Sequence, residues 1–264
     1  MFNAYFKIIF IVTIRLLPVS LASPKKGFGL CGAAYKCGDT HALNGTTWWY
    51  NWHYNFTKDE KCSQPHAGEY IPMIWGEKYL KDAIISPDAK YVLGFNEPNA
   101  PNQSNLTPER AAELWPLVEE KAAGRTLISP ALEGCDIFPE MCIDWYDRFF
   151  NACQNCRVDK IAIHGYHCVP YEMIQSLGKI ASRYNRPIWL TEFSCKGNVT
   201  VNDDINFVNL LIPLLEQASF VERYAWFCTR RVNTTPFLPN FSSNLLEIES
   251  PTLTKLGEVY NSLT

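Results

Sequence analysis

Two hydrophobic periods take turns along this chain. Short apolar runs of strand type fall at 27–32, 47–53, 69–75, 91–95, 126–131, 160–165, 187–191 and 221–227. Several, such as Ile161-Ala162-Ile163 and Ile188-Trp189-Leu190, have no polar face at all, which suits parallel strands covered on both sides. Between them the apolar residues recur at spacings of three and four. Thr107-Pro108-Glu109 supplies a cap, a first-turn proline and an early acid; Ala111, Leu114, Val118 and Ala122 then share a face, and Gly124 ends the helix. Met173, Leu177, Ile180, Ala181 and Tyr184 mark a second helix, Ile205, Val208, Ile212 and Leu215 a third, and Leu253, Leu256 and Tyr260 a closing one. Pro116 and Pro213 fall inside two of these patterns and predict kinks there.

Eight strand candidates alternating with helices predict an α/β fold, a single-domain (β/α)8 TIM barrel over residues 23–264. No Pro/Ser/Gly linker divides that stretch. The competing architecture is an open doubly wound sheet with a glycine-rich phosphate turn after its first strand. Here the first strand leads into Cys31-Gly32-Ala33-Ala34, which is not that turn.

Residues 1–22 read as a signal peptide rather than as part of the fold. Lys7 precedes the apolar run from Ile8 to Leu17, and Ser20-Leu21-Ala22 offers a cleavage point. The run is short for a membrane span and Arg15 interrupts it, which favours a removed leader over a retained anchor. Ten cysteines and seven N-glycosylation sequons, at Asn44, Asn55, Asn102, Asn105, Asn198, Asn233 and Asn240, suit an oxidising, eukaryotic secretory route. A secreted, extracellular, monomeric protein without stable membrane insertion is expected. The net charge of −3 argues against nucleic acid as a partner. The 14% aromatic content points instead toward stacking on sugar rings, although a large core also consumes aromatics.

Two strands end in a glutamate. Tyr91-Val92-Leu93-Gly94-Phe95 runs into Asn96-Glu97-Pro98-Asn99, and Pro187-Ile188-Trp189-Leu190-Thr191 runs into Glu192-Phe193. In a (β/α)8 barrel the C-terminal ends of the strands converge on one mouth, so two carboxyls from different strands can face each other across a bound sugar. A single glutamate at a strand end is most often a solvated loop residue; the pair at equivalent places argues for catalysis. Glu97 is then the general acid, beside the Asn96 amide that can bind a sugar 2-hydroxyl, and Glu192 the nucleophile. This chemistry requires no metal or organic cofactor, and none is indicated.

The Gly94-Phe95-Asn96-Glu97-Pro98-Asn99 run, Trp189-Leu190-Thr191-Glu192-Phe193 and the earlier Trp49-Tyr50-Asn51-Trp52 resemble glycoside hydrolase family 128, endo-β-1,3-glucanases of the clan A barrel type. Ser129-Pro130-Ala131 and Ile163-His164-Gly165-Tyr166 extend the resemblance, which covers the chain from Gly29 to about Phe227. It implies a clan A barrel, with Glu97 as acid/base and Glu192 as nucleophile. The ten cysteines and the Gly165-Tyr166-His167-Cys168 ending of the sixth strand depart from the family pattern.

Strand alternation sends Trp48, Tyr50 and Trp52 one way and Trp49 the other. Tyr50, Trp52 and Trp226 are candidates for sugar contacts, against the alternative that they pack in the core. His164 and Tyr166 end the sixth strand, where one of them could donate a hydrogen bond to Glu192. A zinc site built on His164, His167 and Cys168 matches none of the usual four-ligand spacings. Cys153-Gln154-Asn155-Cys156 has redox-type spacing but no strand running into its first cysteine, which favours a structural disulfide. Cys168, Cys195 and Cys228 follow neighbouring strand ends, and a bridge among them would pin the loop behind Glu192. Glycans at Asn102, Asn105 and Asn198 would flank the mouth. The expected function is retaining hydrolysis of a β-1,3-glucan polysaccharide. A β-mannanase, a β-1,4-glucanase and a non-catalytic glucan-binding lectin on the same barrel remain alternatives.

Overall fold

Strands without a polar face need cover on both sides, and in the computed structural model they gain it by closing into a ring. The structure describes residues 22–31, 34–56, 62–231 and 243–264; the leader up to Leu21 and the sequons at Asn233 and Asn240 lie outside them. Lys26–Gly29 (β1) pairs in parallel with Trp48–Tyr50 (β2) on one edge and Val221–Trp226 (β8) on the other. Glu69–Tyr70 (β3) continues one side; Ile188–Phe193 (β7) and Ile161–Gly165 (β6) continue the other. Tyr91–Leu93 (β4) and Thr126–Ile128 (β5) form a parallel pair of their own. Single parallel bridges join that pair to the larger sheet at both seams: Met73 to Leu93, then Ile128 to Lys160 and Leu132 to Ile163. The result is the (β/α)8 barrel expected from the alternation.

The described helices are Asp39–Ala42 (α1), Glu77–Leu80 (α2), Pro108–Ala122 (α3), Pro139–Ala152 (α4), Pro170–Tyr184 (α5), Val201–Gln217 (α6) and Lys255–Ser262 (α7). The Thr107 side chain caps α3 by accepting from the Arg110 amide, and Ala123 ends it in a left-handed conformation. Both α3 and α6 continue through their internal prolines, Pro116 and Pro213. No helix was expected between β5 and β6; α4 is there, burying Cys142, Trp145, Tyr146 and Phe149. Their spacing of three, four and seven is helical. Among the described residues no helix is long and apolar enough to cross a membrane.

The core has two layers. Inside the barrel, Trp48, Tyr50, Ile71, Met73, Leu93, Ile128, Ala162, Trp189 and Ala225 pack together. Their outward neighbours, among them Trp49, Val92, Leu127, Ile163, Leu190 and Trp226, pack against the helices. Near the start of β8, the Arg223 guanidinium lies 4.5 Å from the Tyr91 ring centre and 4.7 Å from that of Trp189, with Nη2 2.7 Å from Glu69 Oε2. Cation–π contact and an ion pair thus fill the interior below the mouth.

One irregularity decides where the site can form. Along β7, Ile163 pairs with Leu190 but His164 pairs with Glu192, so β7 carries one residue more than β6 at that step. The same extra residue appears against β8, where Leu190 pairs with Tyr224 and Phe193 with Trp226. Strict alternation from the inward Trp189 would aim Glu192 at the helices. The bulge at Thr191 reverses the parity and turns Glu192 into the barrel mouth, a common use of bulges beside active sites.

Five disulfides pair all ten cysteines: Cys31–Cys228, Cys37–Cys62, Cys135–Cys142, Cys153–Cys156 and Cys168–Cys195. Cys168–Cys195 joins the exits of β6 and β7, the bridge expected behind Glu192. Cys153–Cys156 is a disulfide at the end of α4, as its setting suggested. Arg230, just beyond β8, donates from both terminal nitrogens to Asp39 at 2.8 Å, with both side chains fully buried. Breaking such a pair on one side typically costs about 3–5 kcal/mol.

Candidate active site

Glu97 reaches the mouth by a strained route. Past β4 the backbone follows β5 through the Gly94 amide to the Ile128 carbonyl (3.1 Å) and the Glu97 amide to the Ala131 carbonyl (2.7 Å). Gly94 permits this approach, because a Cβ there would lie 2.9 Å from the Ile128 oxygen, the Ser129 carbonyl carbon and the Pro130 nitrogen. Glu97 itself has φ 41°, a left-handed conformation that costs a non-glycine residue roughly 1–3 kcal/mol. Trp52, at the exit of β2, is left-handed as well, with φ 59°.

The two carboxyls meet. Glu97 and Glu192 are 5% and 4% exposed, and oxygens of both lie within 4.8 Å of each other and of a His164 nitrogen. Hydrogen-bond donors surround Glu192. Trp52 Nε1 donates to Oε1 at 2.6 Å, the Tyr166 hydroxyl donates to Oε2, and the Tyr50 hydroxyl lies 3.4 Å from Oε1 and 2.9 Å from the Thr191 carbonyl. Burial, followed by the negative charge of Glu192, pushes both phenols well above their usual pKa, so they stay protonated as donors.

His164 is fully buried between the acids. Its Nδ1 is 2.7 Å from Glu97 Oε1, and its Nε2 is 3.4 Å from Glu192 Oε1 without hydrogen-bond alignment. Burial pulls the imidazole down, but Glu192 and then Glu97 outweigh it and raise the pKa above 6.5. Burial likewise lifts the Glu192 carboxyl above the ordinary range; Glu97 adds to this, while His164, Tyr166 and Trp52 oppose it. Among the described residues these three are the cluster whose ligand atoms could hold a cation. Hydrogen bonds within the site already engage both Glu192 oxygens and Glu97 Oε1.

The cleft above them has a volume of about 570 Å³. Trp52, Trp75, Tyr166 and Phe227 give it aromatic walls, and Asn96, Gln103, Glu133 and Lys196 give it polar ones. Asn96 donates from Nδ2 to Gln103 Oε1 at 3.3 Å, while its Oδ1 is buried with no partner among the described residues.

Six of the eight expected residues, Glu97, Glu192, Asn96, Trp52, Tyr166 and His164, therefore cluster at the mouth, though His164 lies under the acids rather than on the cleft wall. Tyr50 sits below Glu192 and supports it. Trp226 is not in the site. It is fully buried, donates from Nε1 to the Ser243 carbonyl at 2.7 Å, and packs its ring 5.2 Å from Phe193. Alternation explains the correction: Ala225 faces the barrel interior, so Trp226 faces the helices and Phe227 faces the mouth. Counting outward from Ala225 points to Phe227. Gln103, Glu133 and Lys196 come from loops, where no periodicity marks them, whereas Trp75 continues the inward alternation of Ile71 and Met73 at the end of the 69–75 run.

With this geometry in view, three comparisons converge. The model of the glycosyl hydrolase catalytic core family matches residues 32–260. Alkali-sensitive linkage protein 1 of Schizosaccharomyces pombe is 28% identical over 256 residues, covering 92% of this chain but 45% of that protein, so the chain spans less than half of this curated relative. A GH128 subgroup II endo-β-1,3-glucanase from Sorangium cellulosum has a TM-score of 0.76 at 30% identity, covering 91% of this chain and 98% of that one. A variant of a GH128 subgroup I endo-β-1,3-glucanase from Amycolatopsis mediterranei, in complex with laminarihexaose, has a TM-score of 0.73 at 29% identity, covering 92% and 100%. Spanned by the family model almost from end to end, and sharing fold and chain length with these enzymes, this chain belongs to the glycosyl hydrolase catalytic core family, as a glycoside hydrolase of family 128.

Proposed function

We propose that this chain is a secreted enzyme that cleaves β-1,3-glucan with retention of configuration, with Glu192 as nucleophile and Glu97 as acid and then base. The observation carrying this reading is that an oxygen of each carboxyl lies within 4.8 Å of the other across one cleft, in unequal surroundings. A separation of about 5–5.5 Å suits a covalent intermediate; inversion needs about 6.5–9.5 Å to seat a water. The β-1,3 linkage is supported by the substrates of the structural relatives.

The residues divide the work by their contacts. Donors at both oxygens favour Glu192 as an anion aimed at the anomeric carbon. As its C–O bond forms, the bond to the departing glucan oxygen breaks, and that oxygen takes a proton from Glu97. The proton is held on the 2.7 Å contact between His164 Nδ1 and Glu97 Oε1. With one proton on that contact, the trio carries a net charge of −1 whether the proton rests on nitrogen or oxygen. Shifting it to oxygen loads the acid without changing the charge of the buried site. Once esterified, Glu192 no longer attracts charge onto His164. Glu97 then accepts a proton from the incoming water, whose oxygen bonds to the anomeric carbon as the ester C–O bond breaks and returns Glu192 as a carboxylate. The unpartnered Asn96 Oδ1 is placed to accept from a sugar hydroxyl, and the aromatic walls pack on ring C–H groups.

Secretion is supported by five disulfides and by the sequons. Residues 1–22 are then a removed leader and 23–264 a single catalytic domain, which the intact mass of secreted protein would test. For the reaction, laminarin, curdlan, mannan and cellulose are incubated with the protein while the anomer first released is followed by NMR. Release of the β-anomer from laminarin is expected. The α-anomer first would rule out retention, preferential release from mannan or cellulose would reassign the linkage, and curdlan binding without release would make the chain a lectin.

A further inference from the structure

We propose that Asn102 carries an N-linked glycan that forms part of the cleft rim and limits access by long glucan chains; this rests on the secreted-hydrolase reading. Asn44, Asn55, Asn102, Asn105 and Asn198 are the described sequon asparagines, and all are exposed. Of these five, only Asn102 lines the cleft. It belongs to the continuous rim Ala100-Pro101-Asn102-Gln103, which starts three residues after the acid Glu97.

The rim is held in place. The Gln103 amide donates to the Ala100 carbonyl at 3.1 Å, the Ser104 amide to the Asn96 carbonyl at 3.2 Å, and the Leu106 amide to the Pro98 carbonyl at 2.9 Å. A sugar tree linked to Asn102 Nδ2 would therefore keep a defined place beside the catalytic pair. It could not swing aside with a flexible loop. A cleft of about 570 Å³ encloses only a few sugar rings, so a polymer must leave it across the rim. A branched glycan there blocks that exit for a long or bundled glucan and leaves room for a short one.

The test uses the full chain secreted from a eukaryotic host, with glycopeptide masses measured at every sequon. Two variants remove this glycan by different routes. Asn102→Gln replaces the acceptor; Ser104→Ala removes the sequon hydroxyl and keeps the Asn102 amide. Ser104 Oγ is buried without a partner among the described residues, so its loss is structurally mild. Asn198→Gln is the control, removing a sequon outside the cleft. The readouts are the ratio of curdlan to laminaritriose hydrolysis and retention of the protein on curdlan. Asn102 should be occupied, and both variants, like enzymatic deglycosylation, should raise the ratio and the retention several-fold while the control does not. An unmodified Asn102 overturns the proposal: with other sequons occupied, secretion stands and this site fails; with none occupied, the secretory reading falls too. An occupied Asn102 whose removal changes neither readout also overturns it. If no form hydrolyses glucan, the hydrolase reading fails and curdlan retention alone decides the role of the glycan.

Discussion

Glu192 lies within β7, paired with β6 and β8 on either edge, whereas Glu97 lies four residues beyond the end of β4 on left-handed backbone. The first is aimed by a bulge inside a continuous sheet and held by the Trp52 and Tyr166 donors. The second is placed by a bend against β5 and touches one proton-bearing partner, His164. The difference matches what the proposed roles would ask of each group. A nucleophile needs a fixed position and a stabilised charge, while an acid that later becomes a base needs a proton it can release and recover.

Substitutions can break this contrast, and the largest effect should come from Glu192→Gln. Losing this proposed nucleophile should lower kcat by roughly 10⁴–10⁶-fold on every glucan tested, including aryl glycosides with good leaving groups. Glu97→Gln should cost roughly 10²–10⁴-fold on laminarin, but much less on an aryl glycoside that needs no protonation. Equal losses on both substrates would erase the distinction between the two acids.

Replacing Cys168 and Cys195 by serine together opens a bridge spanning 27 residues behind Glu192. Thermal or denaturant unfolding should show a loss of about 2–4 kcal/mol. Unchanged melting and activity would show that β7 holds Glu192 without it. Trp52→Phe removes a charge-assisted donor to Glu192, worth about 1.5–3 kcal/mol. That predicts a roughly 10–100-fold fall in kcat/KM with little change in melting. Trp226→Phe should do the reverse, lowering stability and sparing kcat.

The smallest effect concerns pH. Protonating Glu192 would disable the proposed nucleophile, and burial has raised its pKa above the ordinary 4.5, so activity should decline on acidification from above that value. On the alkaline side, activity should fall only above pH 6.5, where His164 would otherwise release the shared proton. Tyr166→Phe deletes a donor to the charged carboxylate and should move the acid limb upward by about one pH unit or less, with the alkaline limb nearly unchanged. A downward move would mean that Tyr166 does not stabilise the anion.

The barrel and its two acids were legible because strands buried on both faces read as unbroken apolar runs, two of which end abruptly in a carboxyl. The same property hid the facing of individual residues. A run such as Tyr224-Ala225-Trp226-Phe227 has no polar positions to set its phase, so nothing in it separates the outward Trp226 from the mouth-facing Phe227. The bulge at Thr191 left no trace in the pattern, although it decides which way Glu192 points. Helix α4 could have been found from Cys142, Trp145, Tyr146 and Phe149. Trp75 could have been found too, two and four residues past the inward Met73 and Ile71, but Gln103, Glu133 and Lys196 could not, because chain reversals rather than periodicity bring them to the cleft.

Gly94 has a consequence for engineering this scaffold. The hydrogen atom that stands in for its side chain sets how close β4 and β5 can lie, and so where the chain carries Glu97. Even a methyl group there would act as a wedge between β4 and β5, displacing Glu97 from its place beside His164 without touching either side chain. Libraries aimed at new linkage preferences should therefore vary the rim and leave position 94 untouched.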